Sequence, residues 1–228
     1  MRLTRPLFAL LASASLVGIV SLAGAAPPDS PAPASPERLG APPPASALVG
    51  EGFALVGEAK GVKVYRREKR PGIELAAEGK IAASPERVRR VLIDYPSHTR
   101  WQKHLKENRV LAFGDGSLDV YQRLSLPVLD DRDFTLHVTW GKDADLFWTH
   151  FAIANDRGPA PVSGVVRVTQ QEGGWRLEPA DGGLATHAVY RCYIDLAGSF
   201  PAWMGKGQAT DDLPELFASI TGQLPSYR

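Results

Sequence analysis

The chain has 228 residues, of which 44% are hydrophobic and 22% are charged, and its formal net charge is +1. This composition is typical of a globular protein with one sizeable core. A net charge so close to zero gives no electrostatic basis for binding nucleic acid or a strongly anionic surface.

The first 25 residues have the three parts of a secretory signal peptide. Arg2 and Arg5 precede an apolar stretch at residues 7–22, and Ala23-Gly24-Ala25 is a cleavage site of small residues. We expect cleavage after Ala25 and export to the periplasm or the medium. The alternative is an uncleaved N-terminal membrane anchor, because the apolar stretch approaches the length that spans a bilayer.

Residues 26–47 contain eight prolines among alanines and serines. Proline lacks an amide donor and has a fixed φ angle, so neither a helix nor a sheet strand continues through such a segment. We therefore predict a disordered, semi-stiff linker at residues 26–47. The folded domain is predicted to cover residues 48–228.

The first part of the domain mixes helix and strand signals. Residues 48–59 are predicted as a short helix, and residues 61–66 and 73–82 as strands because apolar and polar residues alternate in them. Ser84-Pro85-Glu86 then predicts a helix start, with Ser84 as the cap and Pro85 in the first turn. Pro96 ends this helix near residue 95.

From residue 118 onward the sequence favours short strands separated by glycine and proline turns, predicted over 118–126, 132–140, 146–153, 163–170, 174–178 and 186–195. Because the connections are short, the sheet is predicted to be mostly antiparallel. A helix is predicted near residues 208–223, with Pro214 in its first turn. Its apolar stripe makes it the available cover for the sheet: Leu213, Leu216, Phe217 and Ile220.

Several motifs, in the same order along the chain, resemble those of START (StAR-related lipid transfer) domains; they lie at residues 63–66, 91–101, 127–134, 174–179, 186–190 and 195–203. The last of them, DLAGSFPAW, is similar to the family's stretch before the final helix. The resemblance implies an α+β helix-grip fold, in which a curved antiparallel sheet wraps around a long C-terminal helix. It also implies an internal hydrophobic cavity for a sterol, phospholipid or similar lipid, with no cofactor.

Strand alternation and the terminal stripe supply the candidates for the cavity lining, each with ordinary core packing as the alternative. Arg132 is expected either to anchor a ligand headgroup or to form a structural ion pair, since a buried arginine usually needs a carboxylate. The candidates are Trp101, Tyr121, Arg132, Phe134, Leu136, His137, Trp140, Trp148, His150, Leu213 and Phe217.

No metal site or catalytic thiol is predicted. The histidines lack ligand spacing, and Cys192 lies in an apolar run where a buried cysteine acts as a small hydrophobe. If the terminal helix gates the cavity, Gly205 and Gly207 are its hinge candidates.

The sequence therefore predicts a non-enzymatic protein that binds a hydrophobic ligand, for lipid transfer or sensing in the cell envelope. A monomer with transient membrane contact is expected. One alternative is an enzyme resembling polyketide cyclases and dehydratases, with Tyr121, Arg132, His137 and His150 as acid–base candidates. The other is a protein-interaction module whose cavity is vestigial.

Overall fold

The structure is a computed structural model that describes residues 42–69, 71–125, 129–195 and 208–227. The predicted signal peptide, residues 26–41 of the predicted linker and the hinge candidates Gly205 and Gly207 lie outside the described residues. The helices and strands are, in order, α1 (Ala45–Leu48), β1 (Ala54–Ala59), β2 (Val62–Lys69), β3 (Gly72–Ile81), α2 (Pro85–Ile93), β4 (Leu105–Gly114), β5 (Ser117–Leu124), β6 (Arg132–Asp143), β7 (Leu146–Ile153), β8 (Val166–Arg167), β9 (Gln170–Ala180), β10 (Ala185–Asp195) and α3 (Gln208–Gln223).

Ten strands of the described chain form one sheet, in which nine follow the order β1-β2-β3-β10-β9-β7-β6-β5-β4 and pair antiparallel. The tenth strand, β8, pairs parallel with the first two residues of β6. A long 3-10 helix, Tyr95–Arg100, joins α2 to the turn before β4. The predicted architecture, a curved antiparallel sheet with a C-terminal helix, is confirmed.

Helices α2 and α3 pack against one face of the sheet, which we call the inner face; the opposite side is the outer face. Side chains of alternate strand residues point to the inner face because successive residues in a strand face opposite ways. In one core cluster, Val88 and Val91 of α2 and Phe217 of α3 are buried against Ala77 and Leu177 of the sheet. A second cluster covers the rest of the inner face: Leu118, Val120, Phe134, Leu136, Val138 and Phe151.

The outer face carries a smaller core of its own. Leu48 and Phe53, which flank the turn after α1, are buried with Tyr65 of β2 and Ala76 of β3. Nearby, the carboxylate of Glu74 accepts hydrogen bonds from Arg67 Nε at 3.0 Å and from Arg191 Nε at 2.8 Å. Burial alone would raise the pKa of Glu74, but these hydrogen bonds outweigh it and lower the pKa below its ordinary value.

The predicted helix at residues 48–59 is wrong. Helix α1 ends at Leu48, and residues 54–59 instead form β1, which pairs with β2. The chain turns between them at Gly52, whose φ of +86° is in the left-handed region that favours glycine. Gly52 therefore lies at the turn between α1 and β1 and is not a residue inside a helix.

Three further differences concern single elements. Strand β4 was not predicted, because it is an edge strand whose Lys106, Glu107 and Arg109 hide the apolar alternation. The predicted strand at 163–170 is reduced to β8, since Gly164 has a φ of +76°. Pro214 lies within α3 and not in its first turn, because the helix begins six residues earlier, at Gln208.

The predicted start of α2 is at the right place, with Ser84 as N-cap and Pro85 at the first helical position. The Ser84 side chain makes no capping hydrogen bond, however. In the part of the chain that the structure describes, no helix is both long enough and apolar enough to cross a membrane.

Candidate ligand cavity

A cavity of about 210 Å³ lies between the inner face of the sheet, the 3-10 helix Tyr95–Arg100 and α3. Ten of the fifteen described residues that line it carry aromatic or aliphatic side chains: Leu92, Tyr95, Trp101, Leu124, Phe134, Leu136, Phe151, Trp175, Tyr190 and Leu216. The other five are uncharged amide, hydroxyl and imidazole: His98, Gln102, Gln122, Thr149 and Gln171. Apolar residues with a few polar groups among them are typical of a small-molecule site.

Two groups of stacked rings shape the wall. On the side of the 3-10 helix, the His98 ring lies 4.5 Å from that of Tyr95 and 4.8 Å from that of Trp101, centroid to centroid. On the sheet, the ring of Trp175 lies 4.8 Å from that of Tyr190 and 5.2 Å from that of Phe217. Because Phe217 belongs to α3, its contact with Trp175 joins the cavity wall directly to α3.

His98 is a neutral part of the wall. Its Nε2 lies 3.4 Å from the carbonyl oxygen of Val91, and its Nδ1 lies 2.9 Å from Nε2 of Gln102. These partners fit one tautomer, in which Nε2–H donates to Val91 and Nδ1 accepts from the Gln102 amide. Burial lowers the pKa of His98 to about 4, so the ring carries no charge at neutral pH.

Two polar atoms of the wall are buried without a hydrogen-bond partner among the described residues. They are the indole Nε1–H of Trp101, a donor, and the side-chain Oε1 of Gln171, an acceptor. Native proteins pair most buried polar atoms, so an unpaired donor and acceptor in residues of a cavity wall are candidates for hydrogen bonds to a bound molecule.

A second cavity of about 300 Å³ adjoins the first and shares Trp101, Gln102 and Leu216 with it. It lies between the turn at residues 101–104 and α3, and its rim carries Lys103 and Asp212, whose Nζ and Oδ1 are 3.2 Å apart. Among the described lining residues of the two cavities, the charged ones are Lys103, Asp212 and Glu215, and all three line this second cavity. The rim marks an entrance between α3 and the turn.

The structure brings four of the eleven sequence-predicted site residues to these cavities. Trp101, Phe134 and Leu136 line the first cavity and Leu213 the second. Phe217 and Trp140 face the same side but pack in the core clusters. Their contact with a ligand stays a prediction.

Four predicted lining residues lie on the outer face, so their placement in the cavity is corrected. Tyr121 and His137 alternate with the inward-facing residues of β5 and β6. Trp148 and His150 alternate in the same way with Thr149 and Phe151, which line the cavity. Trp148 packs beside Gly141, where a Cβ atom would lie 2.5 Å from the indole ring.

On the outer face, Tyr121 and His137 contact carboxylates. The Oδ1 atom of Asp133, a fully buried residue, lies 2.7 Å from Arg167 Nε, and its Oδ2 accepts a hydrogen bond from the Tyr121 hydroxyl at 3.1 Å. His137 Nδ1 lies 2.7 Å from Asp119 Oδ1. Arg132 alternates with Asp133 and so has the inner-face orientation of Phe134; it is buried, donates to the carbonyl oxygen of Asp130 and lines neither cavity.

Sequence reasoning missed most of the polar lining. Gln171 and Trp175 share the inner face of β9, four residues apart, but the predicted strand began at residue 174 and left Gln171 out. Extending the alternation back from Trp175 would have found it. Tyr95, His98 and Gln102 come from a 3-10 helix and turn, which leave no periodic signal.

Two other kinds of site receive no support. Burial raises the pKa of the Cys192 thiol to about 12, which keeps it protonated and unreactive. Within the described ranges, no group of three or more His, Cys, Asp or Glu side chains is placed to hold a metal ion.

No protein-family model matches the sequence, and no curated protein matches it either. Several solved structures are similar to it. The STAR-related lipid transfer protein from Xanthomonas axonopodis is 24% identical, with a TM-score of 0.68 over 76% of this chain and 99% of that chain. Human StAR-related lipid transfer protein 5 is 17% identical, with a TM-score of 0.69 over 77% of this chain and 88% of that chain. Human STARD10 is 18% identical, with a TM-score of 0.68 over 78% of this chain and 74% of that chain.

Proposed function

We propose that this chain, which has the START-like helix-grip fold, binds a hydrophobic small molecule in the cavity between its sheet and α3. The observation that carries the proposal is the cavity wall itself. Ten of its fifteen described lining residues are aromatic or aliphatic, and the other five are uncharged. Structures of this fold include proteins named as lipid transfer proteins, which fits the same class of ligand.

The size of the space favours a compact ligand. The first cavity measures about 210 Å³ and the adjoining one about 300 Å³, which are below and at the lower end of the ~300–1,000 Å³ of typical small-molecule pockets. A single-chain lipid or a compact ring system suits this volume. A two-chain phospholipid would need α3 to move outward.

We further propose that the protein works in the cell envelope, in lipid transfer or sensing. The support is the residue pattern of the first 25 positions, with its basic start, apolar stretch and small-residue cleavage site. A monomeric state and transient membrane contact belong to the same proposal.

The cyclase-like alternative loses its candidate groups in this geometry. Tyr121, His137 and His150 are on the outer face, and Arg132 lines neither cavity. An acid or base must lie within hydrogen-bonding reach of the reacting atoms, so these four residues do not supply one for a molecule bound in the cavity.

Native mass spectrometry of the protein purified from its own cells tests the proposal. We expect a bound mass that dissociates on activation and is identified as a lipid after extraction. Leu136→Trp, which fills the cavity from β6, should abolish that mass. Phe113→Trp is the matched control, because Phe113 is 73% exposed at a hairpin end and should leave the mass bound. A protein that is always empty, with and without the substitution, would favour the interaction module with a vestigial cavity.

A further inference from the structure

The cavity contains a donor and an acceptor that the protein itself leaves unpaired. Trp101 Nε1–H and Gln171 Oε1 are both buried, both line the first cavity, and neither has a partner among the described residues. Two other polar groups of the lining are engaged within the protein. His98 is bonded on both ring nitrogens, and Thr149 Oγ1 accepts from the backbone amide of Trp175 at 3.2 Å. Trp101 Nε1–H and Gln171 Oε1 are thus a donor and an acceptor of the wall that a ligand can satisfy.

The described part of the same wall has no charge to offset one on the ligand. Among the described residues that line the first cavity there is no Asp, Glu, Lys or Arg, and His98 is neutral. The nearest charged lining residues, Lys103 and Asp212 at the rim, pair with each other. Burying a charge without a partner is very unfavourable, so an anionic or cationic group does not belong in this cavity.

We infer that the ligand is an uncharged apolar molecule whose polar group both accepts a hydrogen bond, from Trp101 Nε1–H, and donates one, to Gln171 Oε1; in its simplest form this group is a hydroxyl. The inference rests on the proposed function, because it specifies the ligand of the same cavity. A hydrocarbon would leave both atoms unpaired, an ether would leave Gln171 unpaired, and a carboxylate would place a charge against the Gln171 oxygen.

Four naphthalene probes of nearly the same shape separate these cases: 2-naphthol, 2-methoxynaphthalene, naphthalene and 2-naphthoate. Their affinities for the delipidated protein are measured by isothermal titration calorimetry at neutral pH. We expect 2-naphthol to bind at least about fivefold more tightly than 2-methoxynaphthalene, because the ether leaves a buried acceptor unsatisfied. The ether should in turn bind more tightly than naphthalene, and 2-naphthoate more weakly than 2-naphthol.

Two substitutions assign the preferences to single atoms. Gln171→Leu should remove the preference for 2-naphthol over the ether, since no acceptor then remains unpaired. Trp101→Phe should remove the preference for the ether over naphthalene, since the indole donor is lost while an aromatic ring remains. Trp148→Phe is the matched control, because its Nε1 is also buried without a partner among the described residues but lies on the outer face. The Trp148→Phe variant should keep both preferences, for 2-naphthol over the ether and for the ether over naphthalene.

Each affinity ratio compares two probes on the same variant. A variant that is only less stable would therefore not change the ratio. If 2-naphthol, the ether and naphthalene bind the wild-type protein equally, or if both ratios survive in both variants, the inference is wrong while ligand binding stands. Tighter binding of 2-naphthoate than of 2-naphthol would also overturn it. If none of the four probes binds and native mass spectrometry finds no ligand, the proposed function fails with it.

Discussion

At the scale of single residues, the polar part of the cavity is built by neutral groups, and His98 is neutral only because it is buried. Its ring is enclosed by Tyr95 and Trp101 and is bonded by its two nitrogens. Burial disfavours the charged form of a histidine, while the nearby Asp94 carboxylate and the Val91 carbonyl oppose this effect only in part. Because the buried His98 ring is neutral in the folded protein, His98 also makes the folding stability sensitive to acid.

His98 should make the folding stability depend on pH between its unfolded pKa of 6.5 and its folded pKa of about 4. In this window the unfolded chain binds a proton that the folded chain does not, so stability is full above the window and falls as the pH falls. The loss amounts to about 3 kcal/mol across the window. Burial also lowers the pKa of His150 and adds to the change in the same direction.

The measurement is the free energy of urea unfolding from pH 7.5 to pH 4 for the wild-type protein and for His98→Gln. We expect a shallower pH dependence in the variant, whatever its absolute stability. His187→Gln is the control for loss of a histidine, because that side chain is 39% exposed. An unchanged slope in His98→Gln would show that this imidazole does not carry the acid sensitivity.

At the scale of elements, the position of α3 depends on close contact with the sheet at one glycine. A Cβ atom on Gly79 of β3 would lie 2.9 Å from Val62 Cγ2 and 3.1 Å from the ring of Phe217. Phe217 in turn packs on Trp175, a residue of the cavity wall. A small residue at position 79 therefore lets α3 lie close enough to the sheet to cover the cavity.

Gly79→Ala should destabilise the protein by about 1–3 kcal/mol, because the added methyl group overpacks the contact between β3 and α3. Gly222→Ala, in α3 itself, is the matched control: a Cβ atom there would meet nothing within 4 Å. Alanine is the better helix former, so this variant should be more stable by about 0.5 kcal/mol. Urea unfolding monitored by tryptophan fluorescence measures both changes. Equal stability of Gly79→Ala and the wild type would mean that the sheet accommodates the methyl group and that the close approach of α3 is not required.

At the scale of the whole molecule, we expect a ligand to enter where the wall moves most easily. The entrance between α3 and the turn at 101–104 is joined by Lys103 and Asp212, whose side chains are 65% and 36% exposed. Exposed ion pairs contribute little, typically about 0.2–1 kcal/mol. The sheet beside it is held by long antiparallel ladders, such as that of β9 with β10, so α3 is the part of the wall that is easier to move.

Hydrogen exchange followed by mass spectrometry should show this difference. In the ligand-free protein the amides of α3 should exchange faster than those of β9 and β10, and bound 2-naphthol should slow exchange in α3 more than in the sheet. If α3 is as protected as the sheet both with and without the ligand, the helix does not gate the cavity.

The sequence by itself determined the order of most elements, but not β1 or β4, and several of the element ends. Strand β7 was predicted at residues 146–153 and α3 at 208–223, both as found, because apolar periodicity and proline positions are local properties of the chain. Strand β4, at the edge of the sheet, was not predicted because charged residues mask its apolar alternation.

Only the tertiary structure decided which residues form the site. Alternation shows that Phe134 and Leu136 share a face opposite to His137, but the inner face is set by where α2 and α3 pack, and no single strand encodes that. This is why four predicted wall residues lie on the outer face. Trp101 and Gln171 are far apart in the chain and line one cavity only because the sheet brings β9 beside the turn after the 3-10 helix.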